Sequence, residues 1–176
     1  MPLAVLCLFR DSGRRSKVKS WHLHALRVRY QETDQMKVVY HANYLNWFEI
    51  GRTEWVRSVG ISYRELEQKG LLLPVTHLEA EFMQPARYDD WVTVCTHVAE
   101  MSALRVRFQS RVVSGDIATP NGAAIIADEP PGTQLVAGST RHVWVNAAWK
   151  PVRIDREAPE LYRAMRERLP GAEPQA

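Results

Sequence analysis

The 176-residue chain has only two cysteines, Cys7 and Cys95, and it lacks long apolar runs. Two thiols cannot build the disulfide framework of a small secreted domain, so we expect a reducing, cytoplasmic location. The apolar run Pro2–Phe9 is shorter than a membrane span, and basic residues follow it instead of preceding it, which is atypical of a secretion signal. The sequence therefore predicts a protein without a membrane-spanning segment.

A strong excess of one charge is also missing. The chain has 23 Lys and Arg against 20 Asp and Glu, a formal net charge of +3, and the basic residues are spread along it. No stretch interleaves aromatic and basic residues as nucleic-acid-binding motifs do, so we expect no nucleic-acid partner. The hydrophobic fraction of 45% and six Trp predict a folded domain, and the length suits a single one.

Composition divides the chain into three parts. Residues 1–22 show no clear periodicity and include a Ser-, Lys- and Arg-rich segment, which predicts a flexible N-terminal extension. The globular domain is expected over 23–154, with a loop insertion at 115–134 where Gly, Pro, Ala and Asp are frequent. Residues 155–176 are expected to form a C-terminal tail with a short helix.

One long amphipathic helix dominates the secondary-structure pattern. Apolar residues recur at the i, i+3, i+4 spacing of a helix: Tyr44, Trp47, Phe48, Gly51, Trp55 and Val59. We expect its N-cap at His41 or Asn43, its end at Gly60, and a close contact with a sheet at Gly51. Most other periodic segments alternate as strands do. One long helix followed by about four antiparallel strands predicts an α+β fold and suggests a sheet wrapped around that helix.

A long motif precedes and enters this helix. The stretch ETDQMKVVYHANYLNWFEIGRTEW places Asp34 seven residues before His41, within the pattern T-D-x-x-x-V-V-Y-H-x-N-Y. Together with QPARYDD at 84–90, it resembles the hotdog-fold acyl-CoA thioesterases, especially the branch of 4-hydroxybenzoyl-CoA thioesterase and the Tol-Pal-associated, YbgC-like enzymes. The resemblance covers roughly residues 24–113 and 136–152. It implies the hotdog fold, a curved antiparallel β-sheet wrapped around one long central α-helix, assembled as a homodimer or homotetramer. It also implies hydrolysis of an acyl-CoA to a carboxylic acid and free CoA.

Thioester hydrolysis needs a nucleophile, or a base that activates water, together with donors for the developing oxyanion. By the resemblance, Asp34 is the nucleophile or general base, and His41 lies at the helix start whose free N–H groups polarise the carbonyl. The predicted substrate-binding residues are Val38, Val39, Tyr40 and Asn43. The resemblance implies that no metal or redox cofactor is required. His22 and His24 lack a third ligand, so we expect no metal there either. On local physics alone, Asp34 is better explained as a turn or N-cap residue, and it is the full motif that favours catalysis.

Lys37 departs from the family pattern, which usually has Gly at this position. A Gly there suggests a positive φ, and in that conformation Lys costs about 1–2 kcal/mol. The Lys37 side chain could pair with Asp34 or obstruct the pocket, and the sequence leaves both possibilities open.

Two other functions compete with hydrolysis. Hotdog hydratases and dehydratases carry a D-x-N-P-x-H pattern, which is absent here. A non-catalytic acyl-CoA-binding module would keep the pocket without needing Asp34. The acyl group, and the choice between dimer and tetramer, are left open by the sequence.

Overall fold

A computed structural model describes residues 20–117, 124–126 and 129–169 of the chain. The strands are β1 (Trp21–Arg27), β2 (Leu71–Leu72), β3 (Val75–Phe82), β4 (Trp91–Met101), β5 (Arg105–Ser114), β6 (Ala124–Ile126), β7 (Gln134–Val143) and β8 (Val145–Asn146). The helices are α1 (His41–Ser58), α2 (Tyr63–Gln68), α3 (Ile154–Glu157) and α4 (Pro159–Glu167), with a 3₁₀ turn at Tyr30–Glu32.

Six strands form one sheet in the order β3-β7-β5-β4-β1-β6, and every neighbouring pair is antiparallel. Strands β2 and β8 form a separate two-stranded sheet. Helix α1 contacts β1, β4 and β5 on one face of the large sheet. The predicted α+β class, with one long helix against an antiparallel sheet, is confirmed.

Helix α1 approaches the sheet closely at Gly51. A Cβ atom there would lie 2.3 Å from Thr96 Oγ1 and 2.8 Å from Val94 Cγ1, which no real side chain could accommodate without a shift. On β7, a Cβ on Gly138 would lie 2.6 Å from the ring of Phe48. Glycine on each side of the interface therefore lets the helix and the sheet meet, and the predicted reason for Gly51 is confirmed.

The C-terminal end of α1 is fully tied down. The helix ends at Ser58, Val59 is its C-cap, and Gly60 follows with a φ of +96°, so the predicted end at Gly60 is confirmed. The guanidinium of Arg168 donates to the Ser58 carbonyl and to its hydroxyl, both at 2.8 Å. The last residues of the described chain thus close the end of the central helix.

The domain extends beyond its predicted limits at both ends. Strand β1 begins at Trp21 instead of after residue 22, because Trp21 packs with Leu23 and Cys95 in a buried apolar cluster. The predicted tail from 155 forms α3 and α4, and Leu161 and Met165 are buried in the main core. The stretch 115–134, predicted as a loop, contains β6, which pairs with β1. Residues 1–19 and 170–176 lie outside the described residues.

Strand β3 is at one edge of the large sheet. Its residues facing the α1 side, Leu78, Ala80 and Phe82, alternate with His77, Glu79 and Glu81 on the outer face, which is the face turned away from α1. Leu78 is 42% exposed and Phe82 is 49% exposed. An edge strand with exposed apolar residues can pair with a strand of another chain.

Candidate functional site

The segment that carries Asp34 is a tight turn. Thr33 and Val39 form an antiparallel bridge, and between them Asp34 N donates to Val38 O at 2.9 Å. Lys37 N donates to Asp34 O at 2.9 Å, and Asp34 Oδ1 accepts from Met36 N at 2.8 Å. These contacts fix the carboxylate of Asp34 relative to its own backbone and leave its second oxygen available.

Lys37 occupies the left-handed region of this turn, with a φ of +62°. The positive φ suggested by the usual Gly at this position is therefore confirmed. Among the described residues, Lys37 forms no ion pair with Asp34, and its exposed side chain does not line the cleft described below. Lys37 therefore lowers the stability of the fold through its left-handed backbone conformation.

Glu32 anchors the turn to α1. Its carboxylate accepts from Trp47 Nε1 at 2.9 Å and from Arg29 N at 2.7 Å. Its backbone carbonyl accepts from Tyr40 N at 2.9 Å and from Asn43 Nδ2 at 2.8 Å. The Asn43 amide thus joins the helix to the preceding segment, and its predicted role in substrate binding stays a prediction.

The N-terminal end of α1 is open. The N-cap is Tyr40, not His41 or Asn43 as predicted, and no side chain caps the helix. Tyr40 takes the extended conformation of an N-cap, so the helix starts at His41. Its first N–H groups are left without a side-chain acceptor at the positive end of the helix dipole. This is the arrangement in which an oxyanion is stabilised.

Asp34 and His41 line one cleft of about 260 Å³. Asp34 is half-buried and His41 is exposed. The rest of the lining is Met36, Val39, Tyr44, Phe82, Met83, Gln84 and Pro85. Of the predicted site residues, the structure brings Asp34, His41 and Val39 together at the cleft, whereas Val38, Tyr40 and Asn43 do not line it.

One wall of the cleft comes from the end of β3 and the turn after it, which sequence reasoning did not assign to the site. The Phe82 ring lies 5.7 Å from that of Tyr44 and 6.4 Å from that of His41, edge to face in both cases. The Tyr44 hydroxyl accepts from Ala86 N at 2.9 Å, and burial raises its pKa. The QPARYDD stretch was the sequence signal that could have assigned this wall to the site. Val39 N donates to Ala86 O, and this hydrogen bond holds the stretch beside the Asp34 turn.

The structure offers little for a metal. Within residues 20–117, 124–126 and 129–169, no group of three or more His, Cys, Asp or Glu side chains is arranged to hold one. His22 is buried, and this desolvation lowers its pKa to about 4, so it is neutral at pH 7. In the part of the chain that the structure describes, no helix has both the length and the apolar character needed to cross a membrane.

Comparison with known proteins identifies the family to which the chain belongs. The model of the thioesterase superfamily matches residues 36–120. The acyl-CoA thioester hydrolase YbgC of Escherichia coli is 32% identical over 57% of this chain and 75% of its own length. The chloroplastic acyl-acyl carrier protein thioesterase ATL2 of Arabidopsis thaliana is 30% identical over 87% of this chain and 72% of its own length.

A solved structure supports the same assignment. The DHNA-CoA thioesterase of Staphylococcus aureus superposes with a TM-score of 0.71 at 30% identity, covering 82% of this chain and 87% of that one. Similarity in sequence and in fold therefore agree. The chain belongs to the thioesterase superfamily and has its hotdog fold.

Proposed function

We propose that this chain hydrolyses acyl-CoA thioesters in the cleft at the start of α1, with Asp34 as the catalytic carboxylate. The observation that carries the proposal is that Asp34 and the uncapped N-terminal end of α1 share one cleft. Relatives named as acyl-CoA thioester hydrolases and thioesterases support the reaction class. The hydratase pattern and the purely binding role find no comparable support.

In this proposal, water and the thioester give a carboxylic acid and the free thiol of CoA. Asp34 either attacks the carbonyl carbon itself, forming an anhydride that water then opens, or removes a proton from the attacking water. The negative charge that develops on the carbonyl oxygen is met by the N–H groups at His41. In this proposal the imidazole of His41, which lines the cleft, protonates the departing thiolate. Water is the only co-reactant that these steps require, so no cofactor is part of the proposal.

The cleft also suggests how the acyl group is held. Met36, Val39, Phe82, Met83 and Pro85 supply an apolar lining beside Asp34. Burial of an acyl chain against such side chains contributes about 25 cal/mol per Å² of apolar surface removed from water. The volume of about 260 Å³ in one protomer is small for a ligand site, which fits a cleft that a second copy enlarges.

We propose that the second copy pairs with the first through β3. The strand has free backbone groups along its outer edge, and Leu78 and Phe82 expose apolar surface beside it. Antiparallel pairing of two β3 strands would cover these residues and bring the second copy against the Phe82 end of the cleft. A homodimer is the smallest assembly in which the edge of β3 is paired, and a homotetramer could contain the same β3 pairing.

A cytoplasmic location is the matching proposal for the compartment. Cys95 is a free thiol in the interior, and burial raises its pKa to about 12. A buried neutral thiol behaves as a small apolar side chain and is suited to reducing conditions.

The proposal is tested by the release of free thiol from acetyl-, hexanoyl-, palmitoyl- and benzoyl-type CoA thioesters. We expect Asp34→Asn to lower kcat about a hundredfold or more, about 3 kcal/mol in the barrier. The matched control is Asp116→Asn, which changes an exposed carboxylate outside the cleft and should leave kcat unaltered. A wild type that releases no thiol from any of these substrates, or an equally active Asp34→Asn, would overturn it.

A further inference from the structure

The guanidinium of Arg52, in the middle of α1, is buried without a partner. Arg52 is 7% exposed, and its Nη1 atom makes no hydrogen bond. No carboxylate in residues 20–117, 124–126 and 129–169 forms an ion pair with it. A buried charge is strongly unfavourable unless it is paired and hydrogen-bonded. Arg52 is therefore a candidate for contact with a group from outside its own protomer.

The titratable groups around Arg52 supply little negative charge. Burial raises the pKa of the Tyr63 hydroxyl to about 12, so this group is neutral at pH 7. Burial, and then the charge of Arg52, lower the pKa of His142 to about 4, so its ring is neutral as well. The carboxylate that acts on Arg52 is that of Glu49, which is exposed and forms no ion pair with it in the described part of the chain. The positive charge is thus poorly offset inside the protomer.

Helix α1 directs Arg52 over the strand next to the edge of the sheet. One turn earlier, the ring of Phe48 lies against β7, since a Cβ atom on Gly138 would be 2.6 Å from it. Residues i and i+4 share a helix face, so Arg52 faces β7 as well. The charge of Arg52 also acts on His142 of β7, which agrees with this position. In the sheet, β7 is followed by β3 at the edge. The guanidinium therefore lies about one strand from the edge at which a second copy is proposed to pair.

The β3-paired dimer brings this guanidinium near the cleft of the other copy. His142 pairs with Val75 at the start of β3, whereas Phe82 at the end of β3 lines the cleft. Because the paired strands run in opposite directions, the start of one β3 lies beside the end of the other. The ring of His142 packs edge to face on that of Phe108, on the α1 side, which is also the side of the cleft. Two strand spacings, roughly 10 Å, then separate the cleft of one copy from β7 of the other.

We propose that Arg52 of one copy binds a carboxylate at the far end of the acyl group that is hydrolysed in the cleft of the other copy. The inference rests on the proposed function and deepens it, because it names the substrate class: a dicarboxylic acid joined to CoA through one of its two carboxyl groups. A guanidinium offers two parallel N–H donors to a carboxylate. It reaches the acyl end by a change of rotamer, while the helix stays in place.

The length of the acyl group follows from the same geometry. An extended six-carbon chain is roughly 7 Å long and spans most of the distance between the cleft and the second copy's β7. The side chains between the two positions include Val39, Phe82 and Met83, which are apolar. Methylene groups suit such a lining, and their burial is favourable. An acyl group with an apolar middle and a charged end therefore fits.

A direct ion pair between Arg52 and Asp34 of opposite copies is the competing arrangement. Asp34 Oδ1 already accepts from Met36 N, and the second oxygen is the one that the proposed reaction uses. A buried ion pair at this point would close the cleft to its substrate. The two arrangements differ in the substrates that a variant of Arg52 affects.

The test compares adipoyl-CoA with hexanoyl-CoA, which has the same six acyl carbons and ends in a methyl group. For the wild type, we expect kcat/KM for adipoyl-CoA to exceed that for hexanoyl-CoA at least about tenfold, or 1.4 kcal/mol. Arg52→Met keeps much of the side-chain volume without the charge and should abolish this preference. The control Arg163→Met changes an exposed arginine of α4 and should keep the preference. A direct ion pair with Asp34 would instead make Arg52→Met lower both values alike, which would overturn the inference.

Thermal unfolding separates this role from a structural one. Replacement of an unpaired buried charge by an apolar side chain is neutral or stabilising, so Arg52→Met should have a Tm no lower than that of the wild type. A clearly lower Tm would show that Arg52 is already paired within its own protomer, and the inference would fail.

Mixed dimers show which copy supplies Arg52. In a heterodimer of an Asp34→Asn chain and an Arg52→Met chain, one cleft combines the wild-type Asp34 of one chain with the wild-type Arg52 of the other. Because one of two equivalent sites is then intact, we expect about half of the wild-type kcat for adipoyl-CoA. Both homodimeric variants should be at least about tenfold less efficient with this substrate. A heterodimer no better than the homodimers would place Arg52 and Asp34 in the same protomer and overturn the assignment.

A binding measurement keeps the inference separate from the proposed function. Adipate should raise the Tm of the wild type more than hexanoate does, and Arg52→Met should remove this difference. If the wild type releases no thiol from either CoA thioester, the proposed function fails, while the Tm shifts still decide whether Arg52 binds a carboxylate. If both thioesters are hydrolysed equally well, or if adipate gives no larger Tm shift than hexanoate, the inference is overturned and the proposed function stands.

Discussion

The two ends of helix α1 are built in opposite ways. At the C-terminal end, Gly60 turns the chain, and Arg168 donates to the carbonyl and hydroxyl of Ser58. At the N-terminal end, Tyr40 provides no side-chain cap, and the first N–H groups meet a cleft instead of a side chain. A helix end without caps costs about 1 kcal/mol of stability. The C-terminal end is thus built for stability, whereas the N-terminal end leaves donors free for the ligand of the proposed function.

The open end is held in place by other means. Glu32 accepts four hydrogen bonds, two on its carboxylate and two on its carbonyl, and none of them comes from the first two N–H groups of α1. The turn that carries Asp34 is thereby fixed against the helix while the start of the helix remains free. This arrangement allows a reactive group to be positioned without using up the donors that it needs.

Of the substitutions that test this comparison of the two helix ends, Glu32→Ala should have the largest effect on stability and on kcat. It leaves the indole N–H of Trp47, a fully buried residue, without an acceptor and frees the Asp34 turn. We expect about 2 kcal/mol of lost stability and a Tm lower by about 4–8 °C. We also expect kcat to fall about tenfold, since misplacing a reacting group is costly. Glu32→Gln keeps one acceptor oxygen and should restore part of the Tm and part of kcat. Calorimetry would measure the Tm, and thiol-release assays would measure kcat. Wild-type kcat in Glu32→Ala would contradict the positioning role.

Arg168→Ala should affect only the C-terminal end of α1. Two hydrogen bonds to Ser58 are lost, for an expected cost of about 1 kcal/mol and a Tm lower by about 2–4 °C, with kcat unchanged. Arg163→Ala, an exposed residue of the same helix, is the control and should not shift the Tm. A drop in kcat with an intact Tm would mean that the two ends are coupled.

Lys37→Gly should produce the smallest change. Gly relieves the cost of a left-handed Lys, about 1–2 kcal/mol, but loses part of that gain through its greater freedom in the unfolded chain. We expect a Tm higher by about 1–3 °C and an unchanged kcat, because Lys37 does not line the cleft. Lys37→Asn, which tolerates this conformation, should behave alike. A variant that turns over several times faster would instead show that Lys37 hinders the substrate.

Much of the fold could be predicted because α1 follows a strict helical period, and four strands alternate in polarity. The missed elements lack such signals. Strand β6 is only three residues long within a Gly- and Pro-rich stretch, and it exists because it pairs with β1. The start of β1 was hidden by His22, a polar residue on a buried face. Helices α3 and α4 are short, and they are buried in a cluster that includes Trp55, which is distant in sequence.

The candidate site also has a part that the sequence could predict and a part that it could not. Asp34 and His41 belong to one continuous motif, so sequence could place them near each other. Phe82 and Met83 come from another strand, and only the hydrogen bond between Val39 and Ala86 brings that strand to the turn. The helix start was placed one residue late or more, since Tyr40 gives none of the side-chain signals of an N-cap.

The bond between Ser58 and Arg168 also has a consequence for biosynthesis. The two residues are 110 positions apart, so the ribosome must add that length of chain before the end of α1 can be closed. At a synthesis rate of about 5–20 residues per second, the helix waits roughly 5–20 seconds for its last partner. During that interval the growing chain exposes the apolar surface that α4 later covers, and this is the stage at which chaperone binding would protect it most.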